Sequence, residues 1–228
     1  MEELKHFDTS RFLAGLCVLC TACGGAQTTS TTPELAGAPS ATPSMECLPS
    51  ATDELSETMR FAWLLTEQSF ELEAPQVPSA DAPTLQVQDW STSTLGHWVQ
   101  QKTALVRAAE EELDEAAEET HPQRTMAGAL VALMHEDIAR VMLQVPVPHE
   151  LLREPEIAQA FRDVIESQAR PYLEHARRAY RACALNGRGH GDLSNWKTFC
   201  EEREERLPET RSERLAVGTT VEVEIIED

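Results

Sequence analysis

The chain has 228 residues and a formal net charge of −20 at pH 7, with 39 acidic against 19 basic residues. A surface this acidic repels phosphate backbones and anionic lipid headgroups, which argues against nucleic-acid binding and against membrane attachment through a basic face. The length is enough for one domain with a real hydrophobic core.

The first two dozen residues predict an export signal. Residues 12–22 are uncharged and mostly apolar, which suits an export signal but is too short for a membrane-spanning helix of roughly 20 residues. The stretch from Leu19 to Cys23 resembles the lipobox of bacterial lipoproteins, in which small residues precede a cysteine that becomes acylated. The resemblance implies a signal peptide at 1–22 and lipidation of Cys23. It also implies a location in the cell envelope, with the protein anchored in the outer membrane and facing the periplasm. Ordinary signal-peptide cleavage and a non-exported apolar segment are the alternatives.

Residues 23–49 predict a flexible tether. They are rich in Ser, Thr, Pro and Ala, a composition that buries too little apolar surface to fold. Such a tether would hold a folded body away from a membrane surface. We expect that body over residues 50–206, followed by an acidic tail over 207–228.

Apolar residues at helical spacing predict an all-α body of stacked antiparallel helices. The first helix should begin near Asp53 and end before Pro75, and prolines predict an irregular connection through residue 89. A second helix should begin with Ser93 or Thr94 as its N-cap and run to the His-Pro pair at 121–122. Three more helices are predicted over 123–143, 155–185 and 194–206. Pro171 predicts either a kink in the fourth helix or a boundary between two helices.

The C-terminal tail has a different period. Val221, Val223 and Ile225 alternate with glutamates, which is the pattern of a strand rather than of a helix. The tail could form a short strand if it found a partner.

Three cysteines remain after the signal peptide and Cys23. In an oxidising compartment they allow one disulfide and one leftover thiol. Cys183 and Cys200 fall in neighbouring helical segments joined by a short link, so we predict that they pair, a bond worth on the order of 3 kcal/mol. Cys47 would then be free or would pair between molecules.

Residues 145–206 carry a helical-hairpin pattern. Its positions are Pro146, Pro148, Pro171, Ala176, Tyr180, Cys183, Trp196 and Cys200. The pattern resembles tetratricopeptide-like lipoproteins found in the envelopes of myxobacteria and their relatives, and implies a TPR-like array or irregular bundle that acts as an interaction scaffold. Tyr180, Trp196 and Phe199 could line a groove for a partner protein, although their helical spacing also fits a buried core.

No motif predicts catalysis, a metal site or a cofactor. The acidic run at 110–119 is typical of a solvated helix face, because calcium sites need a sharply turned loop. His135 and Glu136 resemble half of an HExxH zinc motif, but position 139 is alanine. The scattered histidines are typical of surface or capping residues, with a convergent cluster as the alternative.

The sequence therefore predicts a non-catalytic envelope lipoprotein that acts as a helical scaffold or adaptor for another envelope protein. The alternatives are a periplasmic ligand- or cation-binding bundle and an enzyme whose residues converge only in the folded state. A scaffold predicts an exposed apolar concave face without clustered titratable groups. A ligand binder predicts a few converging polar side chains, and an enzyme predicts perturbed carboxylates or histidines facing one another in a cleft.

Overall fold

The computed structural model describes residues 43–51 and 55–208. The predicted signal peptide, the lipidation site Cys23, most of the tether and nearly all of the acidic tail with its possible strand lie outside the described residues.

Helices account for all the regular secondary structure of the described residues, so the predicted all-α class is confirmed. The α-helices are α1 (Glu57–Glu71), α2 (Thr84–Asp89), α3 (Gly96–Glu119), α4 (His121–Leu143), α5 (Pro155–Asn186) and α6 (Ser194–Arg206). A π-helical turn (Trp90–Leu95) joins α2 to α3, and short 3₁₀ turns lie at Met45–Cys47, Leu151–Arg153 and Gly191–Leu193. None of the described helices is both long enough and apolar enough to cross a bilayer.

Helix α4 is the centre of the bundle. It packs against α3 and α5 along its length and also contacts α1 and α6. Its apolar residues surround the helix axis instead of forming one stripe, which is the pattern of a fully buried helix. The buried apolar residues of α4 are Met126, Ala127, Ala129, Leu130, Ala132, Leu133, Met134, Ile138, Ala139, Val141 and Met142. Any polar residue in the middle of α4 must consequently find its partner inside the protein.

The second predicted helix begins earlier than expected. Helical structure starts at Thr84 and continues through the π-helical turn into α3, so the prediction of an N-cap at Ser93 or Thr94 is wrong. The hydroxyl of Ser91 donates to the carbonyl of Gln88 at 2.9 Å, and Ser93 donates to that of Asp89. These hydroxyls bond back to the preceding helical turn, which lets a run of Ser and Thr remain inside a helix.

Helix α5 continues through Pro171 as one helix of 32 residues. An interior proline removes one backbone hydrogen bond, but buried residues continue on both sides, from Phe161 and Ile165 to Leu173 and Ala176. Since both halves bury their apolar stripe against the same neighbour, tertiary packing offsets the cost of the proline. The two-helix alternative is therefore excluded.

Residues 43–51 belong to the folded body, although composition assigned 43–49 to the tether. Met45 and Leu48 pack against the hydrophobic core. The indole Nε1 of Trp196 donates to the carbonyl of Ser50 at 3.2 Å. Apolar side chains and a backbone carbonyl together attach this segment beside α6.

The predicted disulfide between Cys183 and Cys200 is present and joins α5 to α6. Cys47 is free and exposed. Close packing surrounds the bridge, because a Cβ atom at Gly128 of α4 would lie 3.2 Å from the Cβ of Cys183. Glycine at position 128 therefore allows α4 and α5 to approach closely at the level of the disulfide.

Candidate metal-binding site

Three consecutive polar residues lie buried in the middle of α4. His135, Glu136 and Asp137 are 8%, 0% and 9% exposed. Because successive residues of an α-helix point about 100° apart, the three side chains face different neighbouring helices. Each of them has found a charged or polar partner there.

Glu136 forms the deepest of these polar contacts. Its carboxylate accepts a hydrogen bond from the Tyr180 hydroxyl at 2.7 Å and lies 2.8 Å from Nη2 of Arg203. Arg140, one turn along α4, donates from Nε at 2.6 Å. Burial and the adjacent carboxylate raise the pKa of Tyr180 well above its ordinary value, so the phenol remains a donor. This network satisfies a buried carboxylate and links α4 with α5 and α6.

Asp137 faces α3 and pairs with Lys102 of that helix. Oδ2 of Asp137 lies 2.7 Å from Nζ of the fully buried lysine. The ammonium also donates to the carbonyl of Ser69 and lies 4.5 Å from the ring centroid of Phe70. Burial lowers the pKa of Lys102 and raises that of Asp137, and each partner opposes the other's shift. The pair joins α1, α3 and α4.

His135 makes the third of these contacts, with Glu110, and this contact lies nearer the surface of the protein. Its Nε2 lies 2.7 Å from Oε1 of Glu110 on α3, and Nε2 of His175 on α5 lies 3.7 Å from the same oxygen. The two imidazole rings stack with centroids 4.1 Å apart and planes 10° from parallel. One nitrogen from each histidine and one carboxylate oxygen all lie within 4.8 Å of one another. Two imidazoles and a carboxylate from three helices thus converge on one point.

The protonation states of His175 and Glu110 suit a cation. Burial and the neighbouring His135 lower the pKa of His175 to about 4, so at neutral pH its imidazole is uncharged and keeps a lone pair. Burial alone would raise the pKa of Glu110, but the hydrogen bond and charge of His135, with His175 and Arg107, bring it below the ordinary value. An ionised carboxylate and a neutral imidazole are the forms that bind metal ions.

The hydrogen bond between His135 and Glu110 assigns the tautomer of His135. A carboxylate only accepts, so Nε2 of His135 carries the proton that is donated to Glu110. Nδ1 of the same ring is buried without a hydrogen-bond partner among the described residues. The His135 ring thus makes a hydrogen bond through Nε2 only. No hydrogen bond at Nδ1 opposes a small rotation of the ring.

The sequence alone predicted no metal ligands, and the structure brings three candidate ligands together. Glu110 was assigned to a solvated helix face, but its side chain is only 28% exposed because it borders the buried stripe that includes Ala109 and Leu113. The convergent histidine cluster was the alternative that the sequence left open, and His135 and His175 form it. The available signal was a histidine in the middle of an otherwise apolar helix.

The aromatic residues proposed to line a partner groove lie in the core. Tyr180 and Trp196 are fully buried, and Phe199 is partly buried with its ring 6.2 Å from that of Tyr180. Burial keeps Tyr180 and Trp196 from lining a groove for a partner, so this part of the prediction is wrong: their rings belong to the hydrophobic core. Another histidine pair, His121 and His190, has ring centroids 4.1 Å apart and planes tilted by 33°, without a carboxylate in the same cluster among the described residues.

Comparison of the chain with protein-family models, with curated proteins and with solved structures finds no match. The function is therefore argued from the geometry of the site.

Proposed function

We propose that the protein is a cation-binding helical bundle of the cell envelope that holds one divalent transition-metal ion through Glu110, His135 and His175. The observation that carries this proposal is the convergence of two imidazole nitrogens and one carboxylate oxygen, from three helices, within 4.8 Å. A cation there would add metal–ligand bonds to the packing of α3, α4 and α5.

The donor set favours zinc or a chemically similar ion. Imidazole suits Zn²⁺, Cu²⁺ and Ni²⁺, whereas Ca²⁺ and Mg²⁺ prefer sets made of oxygen. With bonds of about 2.0–2.1 Å, two ligand atoms on a tetrahedral zinc stand about 3.3 Å apart. The distance of 3.7 Å between His175 and Glu110 is already close to this value, and the 2.7 Å contact of His135 with Glu110 would lengthen slightly. Rotation of the Glu110 and His135 side chains accounts for that change, and the proton on Nε2 of His135 would move to Nδ1, so that Nε2 can bind the metal.

The charge of the chain supports cation binding. The net charge is −20, and the acidic residues that follow Glu110 on α3 lie mostly at the surface. A negative field concentrates cations near the site and speeds their association.

The cluster supports the cation-binding alternative over the scaffold that the sequence favoured. A scaffold predicts an exposed apolar groove without clustered titratable groups, and two of the three rings assigned to such a groove, Tyr180 and Trp196, are buried. In the two buried ion-pair clusters of α4, the carboxylates of Glu136 and Asp137 are paired with cations of the protein itself, so both clusters are structural. Among the described residues, the cluster of Glu110, His135 and His175 is the one polar cluster around α4 that is both convergent and partly open to solvent.

The envelope location is a separate part of the proposal. Its support is the lipobox-like stretch ending at Cys23 and the Cys183–Cys200 disulfide, which persists in an oxidising compartment. Intact-mass analysis of the native protein should show an N-terminus at Cys23 that carries acyl chains. An unacylated protein that begins at Met1 would overturn the location and leave the metal site standing.

Metal binding is tested by Zn²⁺ titration of the untagged protein against a competing chelator. We expect one equivalent to bind, and we expect His175→Ala and Glu110→Gln each to lower the affinity by roughly 100-fold. The matched control is His190→Ala, which removes one imidazole from the pair of His121 and His190 and should leave the affinity unchanged. Wild-type protein that binds no Zn²⁺, or a control that loses as much affinity as His175→Ala, would refute the site. Circular dichroism of each variant establishes that the bundle is folded.

A further inference from the structure

The cluster offers three protein ligands, whereas a closed structural zinc site has four. Among the described residues, no fourth His, Cys, Asp or Glu places a ligand atom within the same 4.8 Å. Zinc sites with three protein ligands keep their remaining position for water or another small ligand. The site proposed above would thus have one coordination position free for a ligand from solution.

Solvent can reach the cluster from one side. His135 contributes the inner ligand, with 11% of its side chain exposed, whereas the side chains of Glu110 and His175 are 28% and 36% exposed. Helices α3 and α5 both pack on α4 but make few contacts with each other. The free position would therefore open towards the surface between α3 and α5.

Two exposed arginines border this opening. Arg107 lies one turn before Glu110 on α3, and its charge acts on that carboxylate. Arg178 follows His175 by one turn on α5, and its charge acts on that imidazole. Neither guanidinium has a hydrogen-bond or ion-pair partner among the residues of 43–51 and 55–208. In a chain of charge −20, these two guanidiniums bring positive charge to the cluster.

We infer that the metal ion held by Glu110, His135 and His175 takes a small oxyanion, a carboxylate or phosphate group, at its free position, with Arg107 and Arg178 as the positioning residues. This inference rests on the proposed metal site. The oxygen of the anion would replace a metal-bound water, and the guanidiniums would donate charge-assisted hydrogen bonds to its remaining oxygens. Arginine suits this role because its planar donors match carboxylate and phosphate geometry.

The test uses Co²⁺ as a visible substitute for zinc. The full-length protein is loaded with one equivalent of Co²⁺, and its absorption is recorded while inorganic phosphate or acetate is added in separate titrations. We expect Co²⁺ loading to produce visible bands and either anion to change them with saturation. In the Arg107→Gln/Arg178→Gln variant the same bands should form, but anion binding should weaken by roughly 10-fold or more. Arg188→Gln, at an exposed arginine after α5, is the matched control and should behave like wild type.

The outcomes separate the two proposals. Wild-type protein without Co²⁺ bands would refute the metal site itself. Bands that neither anion alters would refute the open position while the metal site stands. Equal anion affinity in wild type and in the double arginine variant would overturn the role of the arginines.

Discussion

The carboxylate of Glu136 and the hydroxyl of Tyr180 meet at 2.7 Å inside the bundle, between α4 and α5. The same carboxylate balances the buried guanidinium of Arg203 from α6. The Glu136 carboxylate thus accepts the hydrogen bond of a phenol from α5 and pairs with a guanidinium from α6, both inside the core. Its removal would leave a buried cation without its counter-charge.

We expect Glu136→Ala to lower the free energy of unfolding by about 3–5 kcal/mol, since it breaks a buried ion pair on one side only. Tyr180→Phe removes one hydrogen bond to a charged group and should cost about 1.5–3 kcal/mol. Urea unfolding measures both values. Glu201→Ala, which breaks a surface pair with Lys197, is the control and should change stability by less than about 1 kcal/mol. Equal effects of Glu136→Ala and Glu201→Ala would contradict the structural role of Glu136.

The buried pair of Lys102 and Asp137 should show strong coupling. Lys102→Met alone leaves the Asp137 carboxylate buried without its cation, and we expect a loss of about 3–5 kcal/mol. The double variant Lys102→Met/Asp137→Leu removes both charges and should recover most of that loss. A double-mutant cycle by chemical denaturation gives the coupling energy. Additive effects of the two substitutions would show that the pair does not act as a unit.

The disulfide should be the main covalent contribution to stability. Cys183 and Cys200 are separated by 17 positions, and closing a loop of about that length is worth about 3 kcal/mol in the chain-entropy model. Cys183→Ala/Cys200→Ala should lower the unfolding free energy by about this amount, whereas Cys47→Ser should leave it unchanged. Peptide mapping without reductant should recover the Cys183–Cys200 pair from native protein. Recovery of both thiols in free form would exclude the bridge.

Acid should destabilise the metal-free protein through His175. Burial and His135 hold its pKa at about 4 in the folded state, against an ordinary value of 6.5. The unfolded chain therefore binds more protons between these values, so the stabilising contribution is complete above pH 6.5 and is lost as the pH falls towards 4. Two other charges act on this ring: Glu110 raises the pKa of His175 and Arg178 lowers it.

The side chain of His175 is more than a third exposed, so solvent screening reduces the loss to about 1–2 kcal/mol. Urea unfolding at pH 7.5 and at pH 4.5, with a chelator present, measures it. His175→Gln should have a smaller difference between the two pH values than wild type. An identical difference in both proteins would contradict the contribution of His175.

The helices were largely predictable from local pattern. The predicted last helix, 194–206, agrees with α6 at both ends, and the end of α4 at Leu143 was also expected. The start of the second helix was not predictable from capping preference, because Ser91 and Ser93 use their hydroxyls within the helix instead of at its end. Capping and back-bonding require the same residue types, and only the path of the backbone distinguishes them.

The site was less predictable than the fold. Glu110 is one acid within a run of ten residues, and only the packing of α3 on α4 shows that it turns inward. His135 and His175 lie 40 positions apart, and the stack between them depends on the crossing of α4 and α5. The one local indication was the polar sequence His135-Glu136-Asp137 within a helix that is otherwise apolar on every side.

The sequence alone determined the all-helical class, the pairing of Cys183 with Cys200 and the strongly acidic character of the chain, because periodicity, cysteine spacing and net charge can be read without the fold. The tertiary structure decided which polar side chains meet in the core. Glu110, His135 and His175 come from three helices, and their distances depend on helix packing and on the rotation of each helix about its axis. Helix packing and helix rotation depend on how the whole core fits together, so they cannot be predicted from any short stretch of the sequence.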